Sequence, residues 1–285
     1  MAVKKFNPLP GFGLTMGYTL FYLSAIVLIP IAGLFLKSFN LSWGEFWQVV
    51  TGTRALTAYR LTFGAALIAA MINAIFGTLL AWVLARYQFF GRRFIDALVD
   101  FPFALPTAVA GLALSSLFTL FDKNIINLFG KGSAIGAFLA SHDFRVANSP
   151  MAVVVALTFV GLPFVVRTLQ PVLENLEGEI EEAASTLGAS RLRTFISILA
   201  PTLLPTVITG FALAFARAVG EYGSIVFVSS NIPYRTEIAP HLIVIHLEEF
   251  HYLEATAIAA VLLLISFTIL AIINWLEVWA GRFNK

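Results

Sequence analysis

The sequence predicts an all-α membrane protein: six transmembrane helices, with a polar helix–Gly–helix element on the cytoplasmic side between the fourth and fifth. Three observations carry this. First, the 285 residues are 59% hydrophobic and only 12% charged, against roughly 25% charged in an ordinary soluble domain. With 27 phenylalanines and a mean hydropathy of +0.88, the chain carries more apolar surface than a soluble fold of this length can hide, so lipid is its solvent. Second, six apolar runs reach or approach the roughly 20 helical residues that cross a hydrocarbon core of about 30 Å. Third, one polar stretch, Arg167 to Leu204, shows helical periodicity but is too mixed to enter lipid.

The runs are Leu14–Leu36, Leu61–Ala85, Phe103–Phe121, Pro150–Val166, Leu203–Val228 and Ala255–Leu276. The first follows Lys4 and Lys5 and ends in Leu34-Phe35-Leu36-Lys37 with no small-residue cleavage site. It is longer than a signal-peptide core, so it reads as a retained span. The second carries Thr62, Ala66, Ala70, Ala74 and Thr78 at steps of four, a stripe of small residues along which another helix can approach. The fourth has the least room for tilt, because Gly161 and Pro163 sit near its end. Lysine and arginine favour the cytoplasmic side. With both termini inside, Lys4, Lys5, Arg86, Arg92, Arg93, Arg167, Arg191, Arg193, Arg282 and Lys285 are internal, and Lys37, Arg54, Arg60, Lys123, Lys131, Arg145 and Arg235 external. Arg86, Arg92 and Arg93 crowd one short loop. The expected topology is therefore N-in, C-in. The outer loop from Asp122 to Ser149 is too short for a separate domain.

Within the polar stretch, Leu173, Leu176, Ile180, Ala183 or Ala184, and Leu187 recur at steps of three and four. They form one apolar face of a helix, with Glu174, Glu177, Glu181 and Glu182 mostly off it. Pro171 suits the first turn of this helix and Gly188 its left-handed terminal cap. Ser190 can cap a second helix, along which Leu192, Phe195, Ile196 and Leu199 share a side. Pro201 is expected to stop it and return the chain to the membrane. The apolar faces are too narrow to span lipid and must meet the bundle, the membrane surface or another protein.

The residues Glu182-Ala183-Ala184, Gly188, Ile198 and Pro201, in this spacing, resemble the EAA loop of ABC importer permeases. Ala200 stands where that pattern usually has leucine. The segments Asp100-Phe-Pro-Phe-Ala-Leu-Pro-Thr-Ala-Val-Ala-Gly111, Pro163 to Glu174, and Arg217-Ala-Val-Gly-Glu-Tyr-Gly223 are similar to the sulfate/thiosulfate permeases of the CysT type. Molybdate permeases share the Pro-rich third span and the Gly-Glu-aromatic-Gly turn. This resemblance covers nearly the whole chain and implies a single permease domain, 1–285, in a bacterial inner membrane or a plastid. It implies that the loop, about 167–204, fits a cleft on a separate ATPase and carries its closure to the membrane helices. It also implies a second homologous permease, two ATPase copies that bind ATP and magnesium, and an external sulfate/thiosulfate-binding protein that sets selectivity. The cargo it implies is sulfate or thiosulfate, with molybdate or another oxyanion as the alternative.

Arg217 and Glu221 lie within the fifth span, four residues apart. A charge there costs at least about 2.5–3.5 kcal/mol on insertion scales, so it faces a partner or a watery path. Two readings stand. Arg217 offers positive potential to a passing anion, with Glu221 holding it, or the pair only fixes helix packing. Gly220 and Gly223 flank the glutamate, and a Gly-interrupted span points to a transport pathway. Asp100 is expected to cap the third helix.

Other chemistries find no support. There is no Gly-x4-Gly-Lys-Ser/Thr, because Gly130-Lys131-Gly132 lacks the upstream glycine and the hydroxyl, so no ATP site and no enzyme activity is expected in this chain. The zinc-protease and nucleophile-elbow motifs are missing too. Without cysteine there is no thiolate metal site. His241, His246 and His251 recur at steps of five, which align on neither a helix nor a strand face, so no metal is expected. Net charge is only +2, which suggests no nucleic-acid partner.

Overall fold

The computed structural model describes residues 11–129, 146–176 and 178–281. Lys4, Lys5, Lys131, Arg145, Glu177, Arg282 and Lys285 from the charge and periodicity arguments lie outside the described residues. Among the described residues the regular structure is all helical: α1 (Phe12–Ser38), α2 (Trp43–Val50), α3 (Thr53–Arg86), α4 (Arg92–Ala104), α5 (Thr107–Phe129), α6 (Pro150–Glu174), α7 (Gly178–Thr186), α8 (Arg191–Val219), α9 (Ile225–Val228), α10 (Ala239–Glu248) and α11 (Tyr252–Gly281). Five of these, α1, α3, α6, α8 and α11, are long and apolar enough to cross a membrane alone, and α4 with α5, bent by 114° at their junction, pass the same test only together, as a broken span or a re-entrant loop.

The third span therefore departs from the expected Phe103–Phe121. Leu105 takes extended backbone ahead of Pro106, and the chain restarts as α5 at Thr107. A residue before proline is pushed out of the helical region, and here that preference breaks the span. Several spans run longer than expected, α3 and the fourth among them. At 34 residues, α3 reaches about 50 Å at 1.5 Å per residue, longer than a hydrocarbon core of about 30 Å, with Arg54 and Arg86 near its two ends. The fourth continues past Val166 through Pro163 and Pro171 to Glu174. Pro171 is thus inside this helix, not in the first turn of a new one, and Leu173 is buried at its foot.

The centre is α3, α6 and α8, which pack on one another more extensively than any other elements. Glycine makes this possible at Val165 of α6. A Cβ on Gly77 of α3 would lie 2.9 Å from its Cγ1, and one on Gly210 of α8 would lie 3.1 Å from its Cα. The small-residue stripe of α3 enters this contact in part. Thr62, Ala66 and Ala70 are buried, while Ala74 and Thr78 are half-exposed and the contact passes to Asn73, Gly77, Ala81 and Leu84. Steps of four overshoot a 3.6-residue turn by about 40° each, so a straight row must drift off the seam.

The fifth span also differs from the expected Leu203–Val228. It is helical from Arg191 but ends at Val219. The chain turns through Gly220–Gly223, forms the single turn α9, and returns by a loop to α10. That loop is pinned by hydroxyls: Ser229 Oγ donates to Thr236 O, and Thr236 Oγ1 accepts from Ile232 N.

Candidate functional site

The helix–Gly–helix element forms at the end of the molecule where α3 finishes. Gly188 has φ +79°, and its N–H bonds Ser185 O while the Ala189 N–H bonds Ala184 O, both at 3.0 Å. These paired bonds are a Schellman cap, which needs the left-handed residue that only glycine supplies cheaply. Ser190 then caps α8, accepting from Arg193 N at 3.4 Å. Glu182 and Ala183 are exposed on α7, while Ala184 is buried. Ile198 is half-buried. Pro201 does not stop the helix. The preceding turn, Phe195–Leu199, widens to π geometry, and α8 runs through Pro201 into the span. A π turn is a common way to accommodate disturbed hydrogen bonding within a helix.

Two contacts fasten this element to α3. Arg86 donates to Glu181 at 2.7 Å, and Trp82 meets Phe195 edge to face with ring centres 5.9 Å apart. The Arg86 guanidinium also lies over the Trp82 ring, 5.5 Å from its centre. On the other side the element is open. Leu187 is 87% exposed, and Leu192 and Ile196 are exposed with it. The single amphipathic helix expected from Leu173 to Leu187 is therefore two pieces, parted between Glu174 and Gly178. Its first leucines belong to the bundle, and Leu187 faces away.

Close by, Arg167 of α6 uses every guanidinium nitrogen on α4, sharing one of them with Gln170 of its own helix. Nε and Nη2 donate to the two Asp100 carboxylate oxygens at 2.7 and 2.6 Å. Nη1 donates to Asp96 Oδ1 and Gln170 Oε1, and Nη2 also reaches Asp96 O. A fork filled this way fixes geometry as well as charge. Asp100 is inside α4 and does not cap the third span. Sequence reasoning missed this clasp. Its signal is an arginine in an apolar helix together with two aspartates four residues apart, Asp96 and Asp100, on the opposing segment.

The Arg217–Glu221 pair forms at the break in the fifth span, Nη1 to Oε2 at 2.5 Å. Glu221 is 1% exposed and its Oε1 also accepts from Ser224 N and Oγ at 2.9 and 3.0 Å. The carboxylate thus caps the turn into α9, which is why the helix does not continue. The Arg217 side chain stays 33% exposed. The two flanking glycines differ. A Cβ on Gly220 would meet nothing nearer than 4.0 Å, whereas one on Gly223 would strike Thr107 Oγ1 at the start of α5. One on Gly111 would strike the Ser224 backbone. The broken third span and the turn at Glu221 are thus packed backbone to backbone.

The family model for the inner membrane component of binding-protein-dependent transport systems matches residues 73–282. The chain belongs to this family. Its relatives include sulfate transport system permease proteins CysT from Salmonella typhimurium, 45% identical over 99% of this chain and 98% of the relative, and Escherichia coli, 43% identical over 99% and 98%. The CysT of a Synechocystis species is 47% identical over 93% and 89%. These place the chain on the CysT branch of the family. Among solved structures, a bacterial ABC transporter for import of the acidic polysaccharide alginate has a chain that superposes with a TM-score of 0.71 at 14% identity, covering 95% of both chains. A second alginate ABC transporter, in complex with a periplasmic protein, gives 0.68 at 15%, covering 93% and 92%. At that identity the likeness speaks for the fold. The family and fold agree with an ABC-type, multi-pass inner-membrane permease component.

Proposed function

We propose that this chain is the membrane-spanning subunit of an ATP-driven importer of sulfate and thiosulfate. The observation that carries the cargo is the 45% identity to a sulfate permease across 99% of this chain. A second, homologous permease completes the pathway, an external binding protein delivers the anion, and a separate ATPase pair holds ATP and magnesium. Both termini are cytoplasmic, on the side of the helix–Gly–helix element.

The coupling part is α7, Gly188 and the start of α8. Its anchored side, Arg86–Glu181 and Trp82–Phe195, and its open side, Leu187, Leu192 and Ile196, suit a lever held by the bundle and gripped by a partner. Glu182, Ala183, Ala184, Ile198 and Pro201 shape the same element. Because α8 runs unbroken from Arg191 into the membrane, displacement of the loop moves the fifth span directly. At its far end are Arg217, Gly220, Glu221 and Gly223. Glu221 is neutralised and fully buried, while the guanidinium keeps an open side. An arginine facing lipid there would be costly, so the open side faces the second permease and presents weak positive potential to the anion.

The test is uptake of radiolabelled sulfate in cells lacking their own system, with molybdate as competitor, together with co-purification of the detergent-solubilised chain. Sulfate uptake insensitive to molybdate and retention of an ATPase subunit are expected. Failure to retain any ATPase, or uptake of molybdate alone, overturns the reading. Arg217→Gln, with membrane expression checked, tests the pathway role: normal uptake kinetics would leave the pair a packing element only.

A further inference from the structure

On the face opposite the loop, α10 gives way to α11 through a tight reversal. Glu249 ends α10, Phe250 takes φ +63°, and the His251 N–H bonds His246 O at 2.8 Å. The reversal brings together side chains that no single helix or strand would align. His246 Nδ1 lies 3.1 Å from Glu254 Oε2, His251 Nδ1 lies 3.4 Å from the same oxygen, and His251 Nδ1 lies 3.7 Å from Glu249 Oε2. Ligand atoms of His246, Glu249 and His251 all fall within 4.8 Å of one another.

We propose that His246, Glu249 and His251, with Glu254 beside the two imidazoles, form a binding site for a divalent transition metal, with zinc as the ion it fits best. Zinc takes imidazole nitrogen and carboxylate oxygen at about 2.0–2.2 Å in tetrahedral array, which sets neighbouring ligand atoms about 3.3–3.6 Å apart. The three N···O separations, 3.1–3.7 Å, bracket that value, and the ligand atoms of His246, Glu249 and His251 lie within 4.8 Å of one another. Direct hydrogen bonding accounts for the cluster poorly. His246 Nδ1 is buried and makes no hydrogen bond although the Glu254 oxygen is 3.1 Å away. Two carboxylates also converge on the one Nδ1 of His251, which carries at most one proton to share. A cation held by His246, Glu249 and His251 lies off the N···O lines, and Glu254 Oε2, beside both imidazoles, can turn in to complete its shell. The two carboxylates balance its charge. His246 is the enclosed ligand, with 17% of its side chain exposed, and His251, at 55%, is open to solvent, so an ion can enter from outside. Bound metal would tie the end of α10 to the first turn of α11, fixing the far end of the segment that leads from Glu221 through α9 to α10.

The test is zinc titration of the full-length chain in detergent, free of any histidine tag, against a competing chelating dye. The chain has no cysteine, so thiolate binding does not compete. One equivalent of zinc is expected. It should be weakened at least tenfold in His251→Ala and in Glu249→Gln, exposed positions at which folding is checked by gel filtration and circular dichroism, since changing even a residue that only hydrogen-bonds a ligand costs zinc sites about 10–100-fold. Absorption spectroscopy at the zinc edge should show mixed imidazole and oxygen ligation. Hydrogen exchange at residues 246–254 should slow when zinc is added. Absence of stoichiometric zinc overturns the proposal, and so does zinc binding that both variants leave unchanged, which would mark an adventitious surface ion.

Discussion

Replacing Gly188 by valine should uncouple transport from ATP hydrolysis without unfolding the membrane bundle. Gly188 sits at φ +79°, and the space where a Cβ would lie has no atom within 4 Å. The cost is therefore conformational rather than steric. An L-residue in the left-handed region costs roughly 1–2 kcal/mol, more when β-branched. Nothing in the bundle opposes relaxation, so the cap itself should open. One to two kcal/mol changes the populations of the capped and uncapped forms by about 5- to 30-fold. Asparagine tolerates the left-handed region, so Gly188→Asn is the control and should keep most of the coupling. The assay is the ratio of sulfate transported to ATP hydrolysed in proteoliposomes holding the complete transporter. The valine variant should lose several-fold in this ratio at normal membrane insertion, and the asparagine variant far less. Equal behaviour of the two, whether both active or both inactive, would refute the argument from backbone conformation.

Three further outcomes follow from the packing. Gly223→Leu and Gly111→Leu should abolish stable expression, because any Cβ there meets Thr107 Oγ1 or the Ser224 backbone, whereas Gly220→Ala should express normally; fluorescence-detected gel filtration separates the cases. Arg167→Met should lower thermal stability in detergent by about 1–3 kcal/mol, the usual scale for hydrogen bonds to charged groups, and Asp100→Asn by less; equal melting of all three chains would contradict the clasp. Burial holds the His241 imidazole below its ordinary 6.5. The folded chain therefore resists a proton that the unfolded chain accepts. Stability from this residue is full above about pH 6.5 and falls as pH drops below it towards the folded value. His241→Phe should flatten the acid side of a melting-temperature profile, and an unchanged profile would rule His241 out.

The apolar runs were legible because lipid demands long helices with internally satisfied backbones. Gly188 and Ser190 were legible because caps are local chemistry, decided by one residue and its neighbours within three or four positions. The misplaced features depend either on a partner distant in sequence or on a local backbone choice that the side-chain pattern leaves open. Asp100 looks like a cap until Arg167, 67 residues away, supplies its partner. The fifth span is expected to run on through Gly220 to Val228, and it breaks because Glu221 turns back on Ser224. Pro201 looks like a stop, but a π turn ahead of it lets the helix continue. His246 and His251 seem unrelated until a left-handed Phe250 folds one helix end onto the next. The loop illustrates both sides. Its cap and its open apolar residues come from sequence pattern, while its attachment to the bundle through Arg86 and Trp82 needed the fold.

The central claim is that this chain passes sulfate only when a separate ATPase drives it through the loop ending at Pro201. The most direct measurement is uptake of radiolabelled sulfate into proteoliposomes reconstituted with this chain, its second permease, the ATPase and the binding protein. Uptake should require ATP and the binding protein together and should vanish when the ATPase is omitted. Sulfate accumulation by this chain without ATP, or ATP-driven uptake that ignores sulfate, would contradict it.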